Sequence, residues 1–174
     1  MAISKGSKTV LFFQAMDDAN TNGNDLRLAF QTEHQFNSER ETIEESTKDG
    51  VVKESGEVNA NIDLTCYVVR DDATYLLLEE AYDAGEIIQA WEVDITEQTD
   101  SGKYPAIYAQ GSLGSFNRSS SVDSFTELST TFNINLTPQK GEVTLTPDQF
   151  AAVQYAFQDF GELAGGTATA PEGV

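Results

Sequence analysis

The stretch Val58–Val69 narrows the folding options more than any other part of the chain. Val58, Ala60, Ile62, Leu64, Cys66 and Val68 fall on one parity, and Asn59, Asn61, Asp63 and Thr65 on the other. Successive side chains of a strand point to opposite faces, so this is a strand with one buried and one wet face. A helix would scatter the same residues around its circumference. The wet face argues against a parallel sheet covered on both sides and for antiparallel strands in a sandwich or barrel.

The same period recurs. In Leu26–Phe36 the residues Leu26, Leu28, Phe30, His34 and Phe36 share a parity. Within Glu86–Thr96, Trp91, Val93 and Ile95 oppose Glu92 and Asp94. In Phe125–Leu136, the residues Leu128, Phe132, Ile134 and Leu136 oppose Ser129, Thr131, Asn133 and Asn135. Thr9–Met16 and Tyr104–Phe116 complete the expected strands. Asp17–Asp25, Gln98–Lys103 and the serine-rich Asn117–Ser124 have the composition of turns and loops.

Two segments read as helices. Asp71–Gly85 has an aspartate to cap its start, Leu77, Leu78, Ala81 and Tyr82 on neighbouring turns, and a glycine stop. Thr146-Pro147-Asp148-Gln149 opens the second, with Phe150, Val153, Phe157 and Phe160 at helical spacing. Such a stripe serves core packing or docks a partner. The expected fold is mainly β (α+β): an antiparallel β-sandwich or barrel with one flanking internal helix and a C-terminal helix. Residues 1–163 form one domain, and the low-complexity end, residues 164–174, is expected to be disordered.

One segment does not belong to any core. Asn37–Thr47 is polar and charged and meets Lys48-Asp49-Gly50, then Val51-Val52. Asp-Gly between extended segments signals a hairpin whose two central residues take positive φ. Lacking an apolar face, residues of about 37–57 are expected to project as a solvated arm kept for a partner.

Charge excludes one large class. The net charge is −19, from 29 acids against 10 bases, and residues 61–100 hold eleven acids and one base, Arg70. Phosphate binding needs clustered Lys and Arg, so such a chain repels DNA. The start, MAISKGSKTV, has no hydrophobic signal region, and no apolar run approaches a membrane span of about 20 residues. Synthesis in a cytoplasm without membrane insertion is therefore expected.

The residues that could carry chemistry are few. His34 is the single histidine, and Cys66 the single cysteine, so a zinc site of several His or Cys ligands is excluded, as is an intrachain disulfide. His34 reads as a strand histidine at a core edge, and Cys66 as a small buried hydrophobe. Asp18, Asn20, Asn22 and Gly23 match half of a calcium loop, but Ala29 stands where its bidentate glutamate belongs, so a turn is the simpler reading. The carboxylate pairs Glu44-Glu45, Asp71-Asp72 and Glu79-Glu80 are expected by chance among 29 acids. No metal, cofactor or catalytic residue is expected.

The order of segments carries a resemblance. The stretches LRLAFQTEHQFNSER, STKDGVVKESG, LLLEEAYDAGEIIQAWEVDI, SGKYPAIYAQGSLGSF and PQKGEVTLTPDQFAAVQYAFQDF follow one another over roughly residues 8–160. In that series the chain resembles the major tail protein (tail tube) family of siphophages infecting Gram-positive bacteria. The resemblance implies a phage tail tube-like sandwich or barrel with a flanking helix, similar in architecture to the tube protein of type VI secretion systems. It implies a non-enzymatic virion protein whose hexameric rings stack into a tube. Strands of adjacent subunits would form a continuous barrel around the DNA channel, through which the genome is delivered without specific binding. Tape-measure, tail-tip and terminator proteins would be its partners. Lys48, Asp49 and Gly50 then become the tip of a self-assembly hairpin, and the polar strand faces candidates for an acidic channel wall. A β-sandwich adhesin or carbohydrate-binding module is the alternative of a different class. A small hydrolase using a carboxylate pair is a third.

Overall fold

A computed structural model describes residue 3 and residues 6–16 and 30–147. Among these residues six strands and one α-helix follow a short 3-10 turn: β1 (Thr9–Ala15), β2 (Gln31–Thr47), β3 (Gly50–Tyr67), α1 (Ala73–Ala84), β4 (Ile88–Asp94), β5 (Tyr104–Ser119) and β6 (Glu127–Val143). They form one sheet in the order β1-β4-β5-β6-β3-β2, and every neighbouring pair is antiparallel. The fold is thus mostly antiparallel β with one helix, as the alternation implies. Residues 17–29, the calcium-like loop among them, lie outside the described residues. So do the residues of the expected second helix beyond Pro147 and those of the expected tail at 164–174.

The sheet curls until its ends approach. Phe13 of β1 meets Phe132 of β6 edge to face, with ring centroids 5.9 Å apart, although two strands lie between them in the sheet. At the seam, the Gln31 side chain of β2 accepts from the Leu11 amide (3.0 Å) and donates to the Leu11 carbonyl (2.7 Å) of β1. A side-chain amide there stands in for a strand partner, so the edge of β1 is satisfied locally.

The helix is built as its sequence suggests. The Asp72 carboxylate accepts from the Thr74 amide, and Gly85 closes the helix at φ 67°, a conformation glycine adopts without strain. Its buried face is Thr74, Tyr75, Leu78 and Ala81, whereas Tyr82 is half out and stacks on Phe116. That face packs on Leu11, Phe13, Ile62, Leu64, Cys66, Leu128 and Phe132, the main core. A second apolar cluster, with Val10, Phe12, Val93, Ile95, Tyr104 and Ala106, lies on the other face of β1, β4 and β5.

Two expectations need correction. Leu136 is not on the buried face with Leu128 and Phe132; it is 87% exposed at φ 60°. The β5–β6 register shifts beside it, between Tyr108 and Gln110, and such an irregularity reverses inward and outward sides. The hairpin tip also differs. Thr47 pairs with Gly50, so the turn residues are Lys48 and Asp49, and neither takes positive φ. Gly50 alone does, at 137°.

Candidate functional site

Among the described residues, pairing leaves the hairpin arm without a flanking strand. β3 is flanked by β6 only over Asn61–Tyr67, while the β2–β3 ladder continues from Asn37↔Asn61 out to Thr47↔Gly50. At ~3.3 Å per residue the two-stranded ribbon extends roughly 30 Å past its last three-stranded rung. Its outer residues, 38–55, are exposed. Lys48, Asp49 and Gly50 form the tip, held by the Thr47 hydroxyl, which donates to the Gly50 carbonyl (2.8 Å). A Lys53–Glu44 ion pair bridges the strands. The arm is less uniformly polar than its sequence implies: Ile43, Val51 and Val52 are 56%, 58% and 49% exposed. Ile43 and Val52 lie diagonally on one face, since Ile43 pairs with Glu54 and Glu45 with Val52. An isolated two-stranded hairpin is at best marginally stable in water.

Among the described residues two sheet edges have no further strand beside them. Among those residues β2 pairs with β3 alone. β5 is bounded by β4 only from Ala106 to Gly111, so among the described residues Ser112–Ser119 has a strand on one side only. Between these edges lies a four-stranded surface, β2-β3-β6-β5, whose outward residues register in rows. Glu33, Thr65, Ser129 and Asn117 form one row; Gln35, Asp63, Thr131 and Ser115 the next; Asn37, Asn61, Asn133 and Ser112 the third. These rows contain two carboxylates and no Lys or Arg. The chain's acidity is therefore carried mostly elsewhere, on the arm, the helix and the segment around β4. The surface is internally bonded. Asp63 accepts from Asn37 Nδ2 (2.9 Å) and Thr131 Oγ1 (2.7 Å), and Gln35 Nε2 donates to Asn37 Oδ1 (2.8 Å).

His34 and Cys66 sit away from this surface. His34 faces inward, its side chain 12% exposed, with Nε2 3.2 Å from Glu92 of β4. This contact joins β2 to β4 across the curled sheet and borders a cleft of about 780 Å³ that Gln31 and Phe36 also line. Cys66 is fully buried, and burial, then Asp72 and Glu127, push its thiol pKa up to about 12. A thiol held protonated is no nucleophile at neutral pH. Among the described residues no three His, Cys, Asp or Glu side chains gather as a metal site. Glu79 of the helix pairs with Arg118 at 3.2 Å.

Periodicity revealed the polar face but not that its rows align across four strands, which depends on register. Nor could it reveal the open edge of β5, which depends on β4 being short.

The family model for phage tail tube proteins matches residues 3–140. The chain belongs to the phage tail tube protein family. It is 31% identical over 163 residues to tail tube protein gp17.1* of Bacillus phage SPP1, an alignment covering 92% of this chain and 61% of that protein. The chain thus spans about three fifths of the length of that relative. The SPP1 tail tube structure superposes with a TM-score of 0.75 at 25% identity, covering 97% of each chain. A chain of the native gene transfer agent virion shares the fold at TM-score 0.60 and 11% identity, over 80% of this chain and 99% of that one. So does a chain of the sheath-tube complex of an extracellular contractile injection system, at 0.58 and 13%, over 81% and 93%.

Proposed function

We propose that this tail tube family member builds the tail tube of a siphophage virion, stacking as hexameric rings into the conduit for genome delivery, and that its role is structural rather than catalytic. The observation that carries the reading is the pair of open edges flanking a four-stranded polar surface. β2 and β5 run in opposite directions in the sheet, because three antiparallel steps separate them. Rotation about a ring axis preserves strand direction. The β2 edge of one copy therefore meets the β5 edge of the next in antiparallel sense, and closure of the ring makes one barrel with no edge left.

The amide and hydroxyl rows then face the channel. DNA must slide past them, and a wall without Lys or Arg gives its phosphates no ion pairs to break. Glu33 and Asp63 supply the negative charge of that wall. The arm tipped by Lys48, Asp49 and Gly50 reaches along the strand direction to a copy in the next ring. The tape-measure, tail-tip and terminator proteins are the further partners of such a tube.

Electron microscopy of purified protein seeded with tail-tip complexes tests the proposal. Hollow tubes are expected from the full chain, and none from Ile43→Asp/Val52→Asp, whose monomer keeps the strand signature in circular dichroism. A full chain that never polymerises on such seeds would overturn the reading.

A further inference from the structure

The sequence motif at the arm tip has chemistry of its own. Asp49-Gly50 closes the β2–β3 turn, with Thr47 paired to Gly50 and with Lys48 and Asp49 between them. An aspartate can react with the backbone that follows it. The amide nitrogen of the next residue attacks the carboxyl carbon and forms a five-membered cyclic imide. In most sequences the side chain of that next residue crowds the attacking nitrogen and holds the reaction back.

Gly50 lifts that restraint, and the fold keeps it lifted. Gly50 has no side chain, and a Cβ built on it would meet nothing within 4 Å among the described residues, so the flank of its nitrogen is open. Gly50 takes φ 137°, a region that residues with side chains rarely enter, so the turn holds glycine at this place. Lys48, Asp49 and Gly50 are all exposed, which admits the water that opens the imide. Two other exposed aspartates in connecting segments lack the glycine. Asp100 precedes Ser101 between β4 and β5, and Asp123 precedes Ser124 between β5 and β6. Exposure is alike at the three sites, and the following residue sets Asp49 apart.

We propose that Asp49-Gly50 is a site of spontaneous backbone isomerisation in the folded protein. The Gly50 amide nitrogen forms a bond to Asp49 Cγ while a Cγ–O bond breaks, and the hydroxyl departs as water with the amide proton. Water then opens the imide at one of its two carbonyls. Cleavage of the Cγ–N bond restores aspartate. Cleavage between the nitrogen and the Asp49 main-chain carbonyl carbon leaves the chain running through Cβ, as isoaspartate. No oxidant or cofactor takes part, and the mass of the chain is unchanged. The isomer lengthens the main chain by one carbon inside a two-residue turn. It thereby alters the spacing that the Thr47 hydroxyl spans when it accepts from the Asp49 amide (3.3 Å) and donates to the Gly50 carbonyl (2.8 Å). A chain that ages before it assembles carries a deformed arm tip. The reaction does not depend on tube formation and is read on the unassembled chain.

The test is warm incubation of the purified, unassembled full chain in mildly acidic buffer, where part of the carboxyl population is protonated and can release water. Endoproteinase Glu-C then frees residues 46–54, and chromatography with mass spectrometry follows that peptide. A second form of equal mass is expected to accumulate with time and to be the one that protein isoaspartate methyltransferase methylates. It should exceed severalfold any isomer found at Asp100 or Asp123 in the same digest. Asn22-Gly23, outside the described residues, does not interfere, because deamidation there changes the mass and falls on another peptide. Asp49→Glu, whose ring would need six members, should give no second form while circular dichroism stays unchanged. Isomer at Asp49 forming no faster than at Asp100 and Asp123, or forming only after urea unfolds the chain, would overturn the proposal.

Discussion

Gly111→Ala should be among the most damaging single-methyl additions to the sheet. Gly111 sits in β5 opposite Ile134 of β6. A Cβ there would lie 1.9 Å from the Asn133 carbonyl oxygen and 2.8 Å from its carbon. Both are backbone atoms of the paired strand and cannot rotate away. Ordinary contact begins near 3.4 Å, so the strands must part locally by about 1.5 Å. A ladder bond of about 2.9 Å stretched that far is no longer a hydrogen bond. Losing two rungs costs about 2 kcal/mol, and loosening the adjacent packing of Phe132 another 1–3. The expected destabilisation is about 3–5 kcal/mol, a large share of the 5–15 typical of a domain. Two glycines of the same strand pair serve as controls. Gly141→Ala meets nothing within 4 Å and should change stability by no more than about 0.5 kcal/mol. Gly114→Ala meets the Asn133 side-chain nitrogen at 2.3 Å, which can swing aside, for a cost of about 1 kcal/mol. Urea unfolding followed by far-UV circular dichroism, at concentrations below assembly, measures all three. Gly111→Ala and Gly141→Ala unfolding within error of each other would refute the reasoning.

Three further outcomes follow from the geometry. Gln31→Ala removes both bonds to the Leu11 backbone, and the same urea assay should show a loss of about 2 kcal/mol. Asp72→Ala removes the α1 cap and should cost about 1 kcal/mol, with Asp72→Asn nearly neutral because asparagine caps as well. Cys66 gives a pH signature: its folded pKa is raised from 9.0 to about 12, so above pH 9 the unfolded thiol ionises while the folded one stays protonated. The unfolded state then binds fewer protons, and stability falls as pH rises through that window, by at most about 1.4 kcal/mol per pH unit. Comparing pH-dependent unfolding of the wild type with Cys66→Val should show this component of the slope vanish in the variant.

Much of the fold was legible because period-two alternation and helix capping are local. Val58–Val69 announced its buried and wet faces, and Asp72 with Gly85 announced the ends of α1, since strand pleat and helix termini impose fixed spacings on neighbouring residues. The β2–β3 hairpin was legible for the same reason: Asp49-Gly50 stands between two extended segments. The chain order of its segments likewise pointed to the tail tube family. Tertiary structure decided whatever depends on residues far apart in sequence. Register turned Leu136 outward and aligned Asp63 with Gln35 and Thr131 into a bonded row. The shortness of β4 left the second half of β5 with one strand neighbour among the described residues, and curling brought Gln31 against Leu11 and His34 against Glu92. Strand pairing and closure arise from contacts between distant segments, and local patterning has no term for them.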